Sequence, residues 1–445
     1  MTEAGLQHYL DLAERFQAER AAGAPAWLRT LRQEGIAQLA RQGFPTSKHE
    51  DWKYTNVGPI AGHAFTPVRT VHESGVEAAV ARLALPGTGP RLVFVDGWFV
   101  RELSHLDSGI AGLSVHSLRA ALVKDGELLE TLEASVGRRA RAEQHPFVAL
   151  NAALLEEGAL VRVAPGTVCS EPVQLLFLTH GDNHVALSSP RVIVLAGDNS
   201  ELTLVESYVG AAPGVSFTNA VTEVVLGAGA KVTHVKLQSE SETAFHIGSL
   251  HVEQGRDSRF ASHLISLGGA LARNEVSATF AAQGGECILN GLYVGHGSQH
   301  LDHWTNLDHA HPRCTSRELY KGVLDDTSRG TFHGKVLVRP DAQQTDSRQS
   351  NRNLLLSEAA MADARPQLEI LADDVKCAHG ATVGRLDEQA LFYLRARGIP
   401  RAEAEWLLTH AFASEVVGAV PLAALRAQVE ELLGRKLPGA KEGRA

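Results

Sequence analysis

Two textures of apolar and polar positions divide the chain. In the first part the apolar residues recur at helical spacing: Tyr9, Leu12, Ala13 and Phe16 form one stripe, Gly23 and Pro25 break it, and Trp27, Leu28, Leu31 and Leu39 form a second that stops at Gly43. Two antiparallel helices are expected. The stretch GFPTSKHEDWKYTNV, residues 43 to 57, follows neither the helical nor the strand period and reads as a connector anchored by Trp52 and Tyr54. From Arg91 the run RLVFVDGWFV places Asp96-Gly97 between two apolar runs. That pair favours a type I′ hairpin, whose two central residues both need positive φ. A further helix is expected around Ser117 to Glu133.

After His145-Pro146-Phe147 the period changes from about 3.6 to two. SELTLVESY (200 to 208) and AKVTHVKL (230 to 237) put valines and leucines on one face and Thr, Glu or Lys on the other. Each such run ends in a turn signal: Pro165-Gly166, Gly197-Asp198, Gly227-Ala228-Gly229, Gly255-Arg256-Asp257, Gly284-Gly285, Pro312-Arg313, Pro340-Asp341 and Asp373-Asp374. These turns recur at intervals of roughly 30 residues, the kind of fixed period that stacked coils produce. A β-sandwich would show hairpin turns at shorter spacing. The expected core is therefore a parallel β-solenoid, in which each coil buries its inward side chains against its neighbours. Glycine, at 41 of 445 residues, suits a chain that turns sharply many times.

Helical spacing returns near the C-terminus. Asp387 is placed to cap a helix that ends at Gly398, Pro400 starts a second, and Pro421 opens a third whose buried face is Leu422, Leu425, Val429, Leu432 and Leu433. In the second helix Leu407, Leu408, Ala411 and Phe412 form an apolar stripe. It reads either as the core of a three-helix cap or as a docking surface for another protein. The domains expected are a mostly helical N-terminal domain (1–145), a solenoid core (146–382) and a C-terminal helical domain (383–445), with helices at both termini available to cap the solenoid.

Composition narrows the function. A chain that is 44% hydrophobic has ample material for a core, and a net charge of −9 argues against a nucleic-acid surface. Nucleic acid is not expected as a partner, and neither is a membrane, because no apolar run approaches ~20 residues. The opening MTEAGLQHYLDLAERF has helical periodicity without the basic start and apolar centre of a signal peptide, so a cytoplasmic location is expected. The four cysteines, Cys169, Cys287, Cys314 and Cys377, are far apart and contain no CxxC. Metal chemistry would need residues brought together by folding or by a second subunit.

The most reactive pair is Cys377 and His379, two residues apart in DDVKCAHGATVG, so that on a strand both side chains share one face. Thiolate and imidazole are the ligands that iron and zinc prefer. The plain alternative is a small buried thiol beside a hydrogen-bonded histidine. The segment HGSQHLDHWTNLDHAHPRC gathers His296, His300, His303, His309, His311 and Cys314 with Asp302 and Asp308. In a solenoid, however, its residues point alternately in and out and do not converge. GTFHGKV (330 to 336) lacks the glycine spacing and hydroxyl of a phosphate loop, and no GxSxG is present, so neither ATP hydrolysis nor a nucleophile elbow is expected.

The segments SKHEDWKYTNV (47 to 57), HPFVALNAAL (145 to 154), QHLDHWTNLDHAHPRCTSRELYKGVLDD (299 to 326), SRGTFHGKVLVRPDAQQTDSRQSNRNLLLS (328 to 357) and DDVKCAHGATVGRLDEQALFYLRARGI (373 to 399) resemble the SufB/SufD family of the Suf iron–sulfur cluster assembly machinery. The resemblance spans nearly the whole chain and is most specific from about residue 299 to 417. It implies a right-handed parallel β-helix between helical domains and a heterodimer joined through the β-helices. It further implies a SufC-like ATPase docked on the C-terminal helices, with Leu407, Leu408, Ala411 and Phe412 as candidate contacts. His379 matches the family histidine held to lie where the nascent cluster forms, and Cys377 its neighbour. The KCAHG form resembles SufD rather than SufB, the paralogue expected to carry the main cluster-ligating cysteines. On this resemblance the chain is a non-enzymatic scaffold paired with a SufB-like subunit, or with itself when isolated. It handles iron or a cluster transiently and holds no permanent cofactor; a flavin is neither indicated nor excluded by any motif. The two other readings are a SufB-like paralogue that carries the cluster itself and a β-helix enzyme acting on polysaccharide. The latter usually needs a secretion signal and paired carboxylates along one face, neither of which appears.

Overall fold

The computed structural model describes residues 3–68, 76–87, 89–107, 109–123, 126–180, 185–211 and 214–437. The alternating runs form two parallel sheets that face each other across a shared interior, each coil giving one strand to each sheet. The first sheet stacks Gly158–Val163, Arg191–Ala196, Ser216–Leu226, Phe245–Gln254, Leu271–Phe280, His300–His309, Arg329–Val338 and Met361–Ile370. The second stacks Val173–Thr179, Glu201–Gly210, Lys231–Ser239, Arg259–Ser266, Glu286–Gly295, Thr315–Leu324, Thr345–Leu355 and Val375–Gly384. Register advances one coil at a time, Lys231 pairing with Arg259, Arg259 with Glu286 and Glu286 with Thr315. This is the expected parallel β-solenoid, with helical regions on both sides.

The turn residues explain the glycine period. Gly166, Asn199, Gly229, Asp257, Gly284, Arg313 and Gln344 all have positive φ, one at the same corner of each successive coil. At Gly197 and Gly255 the previous coil passes so closely that a Cβ would lie 2.7 Å from Pro165 N and from Leu226 O respectively. Only glycine fits there.

Both flanks are held by outward-facing apolar residues. Helices Glu3–Arg20, Ala26–Gln42 and Pro146–Ala153 lay Tyr9, Leu39 and Phe147 on Phe217, Phe245 and Leu271 of the first sheet. The connector is anchored as expected at Trp52, which is buried with the Arg273 guanidinium 3.8 Å from its ring centroid. Arg273 also pairs with Glu275 and Asp302 at 2.5 Å each, Thr55 donates to Asp302, and His145 meets Glu275 at 3.0 Å. Farther along the same sheet, Glu50 pairs with Arg365 and Tyr54 lies under Arg329 at 5.7 Å. Residues 50 to 55 therefore cross the outer faces of consecutive coils like a strap.

The N-terminal region is less purely helical than expected. The hairpin at Asp96-Gly97 forms with φ of 48° and 90°, and its first strand, Arg91–Val95, extends the second sheet beside Val173–Thr179. Leu113–Ser117 pairs antiparallel with Gly158–Val163. Leu92, Phe94 and Val115 from these strands close that end of the solenoid interior.

The expectation that helices cap the other end is not met. Helices Glu388–Ala396, Arg401–Val417 and Ala423–Lys436 turn back along the outside of the second sheet. There Ala413, Val416, Val417, Leu425, Val429 and Leu433 pack on Val205, Val235, Leu237, Ile265, Leu292 and Val323. Those outward positions are aliphatic rather than polar, so the flank gives the helices apolar area to bury. The local signals hold: Asp387 accepts from Gln389 N at 2.8 Å, and Gly398 ends the first helix with φ of 85°.

Candidate functional site at the open end of the solenoid

The last coil has no lid among the described residues. Val375–Gly384 is paired only along Thr345–Leu355, and Met361–Ile370 only along Arg329–Val338. Their far edges offer free backbone N–H and C=O groups, the usual template for pairing with another strand. Apolar side chains crowd the same end: Met361 is 54% exposed, Ile370 41%, Leu371 55% and Val383 49%. Exposed aliphatics beside an unpaired edge mark a surface made to be covered.

Cys377 and His379 lie on this outermost strand. Their register partners, Ser347 and Gln349, are buried residues of the inward face, so both side chains share the face toward the solenoid axis, as the spacing predicts. Cys377 is half-buried and packs on the core. Burial pushes its thiol up, and the Asp346 carboxylate adds to the rise against the opposing Ser347 backbone N–H, so a metal would have to displace its proton. His379 is exposed and, among the described residues, has no hydrogen-bond partner, which leaves its ring nitrogens to an incoming ligand.

Beneath the pair, the interior is a hydrogen-bonded floor. Gln349 donates to Glu318, one further coil in, and Thr305 reaches the same carboxyl at 3.4 Å. Burial pushes Glu318 up to about 7. Under Cys377, Ser347 and Ser316 share a 2.8 Å hydrogen bond, and His309 lies 2.9 Å from Ser316.

The outward side of the same strands holds a groove that the sequence did not reveal. Arg317, Arg348, Ser350, Arg352 and Glu415 line it. Asp346 answers Arg317 at 2.8 Å and Glu415 answers Lys321 at 2.5 Å, while Arg348, among the described residues, reaches no carboxylate closer than Asp346 at 4.0 Å. The arginines of TDSRQSNRN were legible as a polar run, and its period of two was the signal that Arg348 and Arg352 share a face.

The other candidates fall elsewhere. His303 and His309 point into the solenoid and are buried, whereas His300, Asp302 and Asp308 project from its outer face. Gly330 to Val336 lies within the strand Arg329–Val338 rather than in a loop. In the helix Arg401–Val417 the buried positions are Ala404, Thr409, Ala413, Val416 and Val417. Leu407 and Ala411 are exposed, and Leu408 and Phe412 half-buried, with Phe412 under the Lys321 ammonium at 4.4 Å. The exposed aromatics Phe392 and Tyr393 come from the preceding helix.

Sequence comparison places these features. Residues 177–412 match the SUF system FeS cluster assembly SufBD core domain, and residues 3–175 match the SufBD protein N-terminal region. The chain is 32% identical to the iron–sulfur cluster assembly protein SufD of Escherichia coli (strain K12), over 95% of each chain. It is 32% identical to an iron–sulfur cluster assembly SufBD family protein of Synechocystis, over 90% of this chain and 89% of that one. With the SufD of Bacillus subtilis (strain 168) it shares 28% identity over 93% of this chain and 94% of the relative.

Proposed function

The chain belongs to the SufBD family of the SUF iron–sulfur cluster assembly system, and from that membership we propose that it is the SufD-type scaffold subunit of an ATPase-driven assembly complex. The observation that carries the proposal is the open solenoid end, where a thiol and an imidazole stand on one face of a strand with a free edge. Two protein ligands are half of a tetrahedral set, and a second subunit paired along that edge supplies the rest. Among the described residues no group of three or more His, Cys, Asp or Glu side chains converges as a metal site, which fits a shared site better than a self-contained one.

In this reading a SufB-type subunit adds its strands to Val375–Gly384 and Met361–Ile370, covering Met361, Ile370, Leu371 and Val383. Isolated protein pairs with itself through the same edges. Iron or a nascent cluster is cargo at Cys377 and His379 and is not resident. The chain catalyses nothing itself; a SufC-type ATPase docks on the C-terminal helices, at Leu407, Leu408 and Ala411 with Phe392 and Tyr393, and its cycle moves them. Nothing in the scheme requires a flavin. A cytoplasmic location is part of this reading, and separately, among the described residues no helix is long and apolar enough to cross a membrane.

Co-expression with a SufB-type and a SufC-type subunit tests the proposal. A stable three-component complex that acquires a cluster from iron and sulfide is the expected result. Failure of the folded chain to join either subunit would refute it.

A further inference from the structure

The outward columns at the open end carry stacked charges of one sign. Strand pairing in the second sheet sets Arg317 beside Arg348 and Lys321 beside Arg352, and the same two columns end on the outermost strand in Ala378 and Thr382. Paired strands lie about 4.8 Å apart, and like charges directly opposite each other destabilise a sheet. Close counter-charges reach only the inner member of each pair. Asp346 takes Arg317 at 2.8 Å, and Glu415, from the helix Arg401–Val417, takes Lys321 at 2.5 Å. Arg348 is left 4.0 Å from Asp346 and Arg352 3.6 Å from Glu415, and both arginines are exposed. Lys376, outward and exposed on the last strand, adds to the excess. Between these cations the outermost strand offers only Ala378, Gly380 and Thr382, and a Cβ at Gly380 would meet nothing within 4 Å. The groove of about 540 Å³ on this side is therefore a basic shelf with a bare floor that runs out to the unpaired edge.

We propose that this shelf selects the second subunit by taking Asp or Glu side chains carried on the outward face of the strand that pairs with Val375–Gly384. The inference rests on the edge pairing proposed above and adds the chemistry by which that edge chooses its partner. A strand that continues a sheet keeps its outward residues on the same side, so its carboxylates come to lie beside Ala378 and Thr382. Arg348 and Arg352 are long enough to cross those small residues, and a guanidinium can grip a carboxylate through two parallel hydrogen bonds. A second copy of this chain brings the opposite charge pattern. Its own Arg348, Arg352 and Lys376 come up against those of the first, so self-pairing through the edge works against repulsion that an acidic partner turns into attraction.

Sedimentation velocity of the full chain, alone and mixed with a SufB-type subunit, tests this across sodium chloride from about 50 to about 500 mM. The heterodimer dissociation constant should rise at least about tenfold over that range, whereas self-association should not weaken. The double variant Arg348→Glu with Arg352→Glu should keep its circular dichroism spectrum, bind the SufB-type subunit at least about tenfold more weakly at low salt, and lose most of the salt dependence. Should it fail to fold, Arg348→Gln removes one of the two free guanidinium groups and should weaken the heterodimer in the same direction. A heterodimer insensitive to salt, or a folded double variant that binds as the wild type does, would overturn the proposal. So would a loss of ATPase binding with SufB-type binding intact, which would give the shelf to the other partner. A wild-type chain that binds no SufB-type subunit at any salt concentration would sink the function proposed above, and this inference with it.

Discussion

His379 stands one coil beyond Gln349 in the same inward-facing column, yet Gln349 is 3% exposed and His379 faces solvent. The contrast comes from position alone. Gln349 has a coil on each side and reaches back to Glu318, while His379 has a coil on one side only. A column of buried polar residues that ends in an exposed imidazole describes a stack cut short.

The free edge should therefore control association. Val383→Lys puts an inward-pointing charge on the last strand at a position already 49% exposed, so the fold should tolerate it while strand pairing does not. Light scattering at micromolar concentration should show the wild-type chain as a dimer and the variant as a monomer with an unchanged circular dichroism spectrum. A monomeric wild type would count against pairing through this end.

Docking of the proposed ATPase should separate from folding at Leu407. That side chain is exposed, whereas the neighbouring Phe412 packs against Lys321, whose ammonium also donates to the Phe412 carbonyl at 2.8 Å. Leu407→Asp should leave thermal stability within ~0.5 kcal/mol and abolish co-elution with the ATPase. Phe412→Asp should damage both. Co-elution of a folded Leu407→Asp chain at wild-type yield would remove this helix from the interface.

Stability should fall as pH rises from about 4.5 to about 8. Glu318 is raised by burial to about 7 from an ordinary value of 4.5, so its favourable contribution is complete below about 4.5 and is lost as pH passes about 7. For that group alone the loss approaches about 1.4 kcal/mol for each pH unit between about 4.5 and 7, and levels off above that. Glu157, pushed up to about 8 by burial, acts in the same direction. Glu318→Gln keeps an acceptor for Gln349 and should flatten the decline between about pH 4.5 and 7 in denaturant titrations. An unchanged pH slope would mean that Glu318 stays ionised throughout.

The strap over the first sheet should act in stability rather than in chemistry. Trp52 is 5% exposed and covers Arg273, whose charge is answered by Glu275 and Asp302. Trp52→Ala should cost about 3–5 kcal/mol by unfolding titration, with any surviving complex still able to assemble clusters. A change below ~1 kcal/mol would show that the strap is dispensable.

Much of this was legible in the sequence because solenoid physics is periodic. The corner residues from Gly166 to Gln344 recur because each coil repeats the same backbone problem, and the alternation of strands such as Glu201–Gly210 follows from a pleat with one buried face. That Cys377 and His379 share one face of a strand was legible by spacing. The course of the C-terminal helices was not. Leu407, Leu408, Ala411 and Phe412 look like a buried stripe, but which side of a helix is covered depends on the surface it meets, here the aliphatic outer column of Val205, Val235 and Leu292. The partners that hold Trp52 were equally hidden, since Arg273, Glu275 and Asp302 lie more than two hundred residues away and meet it only across neighbouring coils.

The central claim is that His379 is a ligand lent to a site shared across the open end. His379→Ala, exposed and without a hydrogen-bond partner among the described residues, should fold and join the complex as the wild type does. Cys377→Ala in parallel distinguishes a thiol ligand from a packing neighbour. The deciding measurement is the absorbance near 400 nm, roughly where thiolate-bound clusters absorb, of the purified complex after reconstitution with iron and sulfide. The account predicts that the His379→Ala complex, intact by gel filtration and with normal ATPase activity, develops little or none of the wild-type cluster absorbance. Full cluster yield from that complex would contradict it.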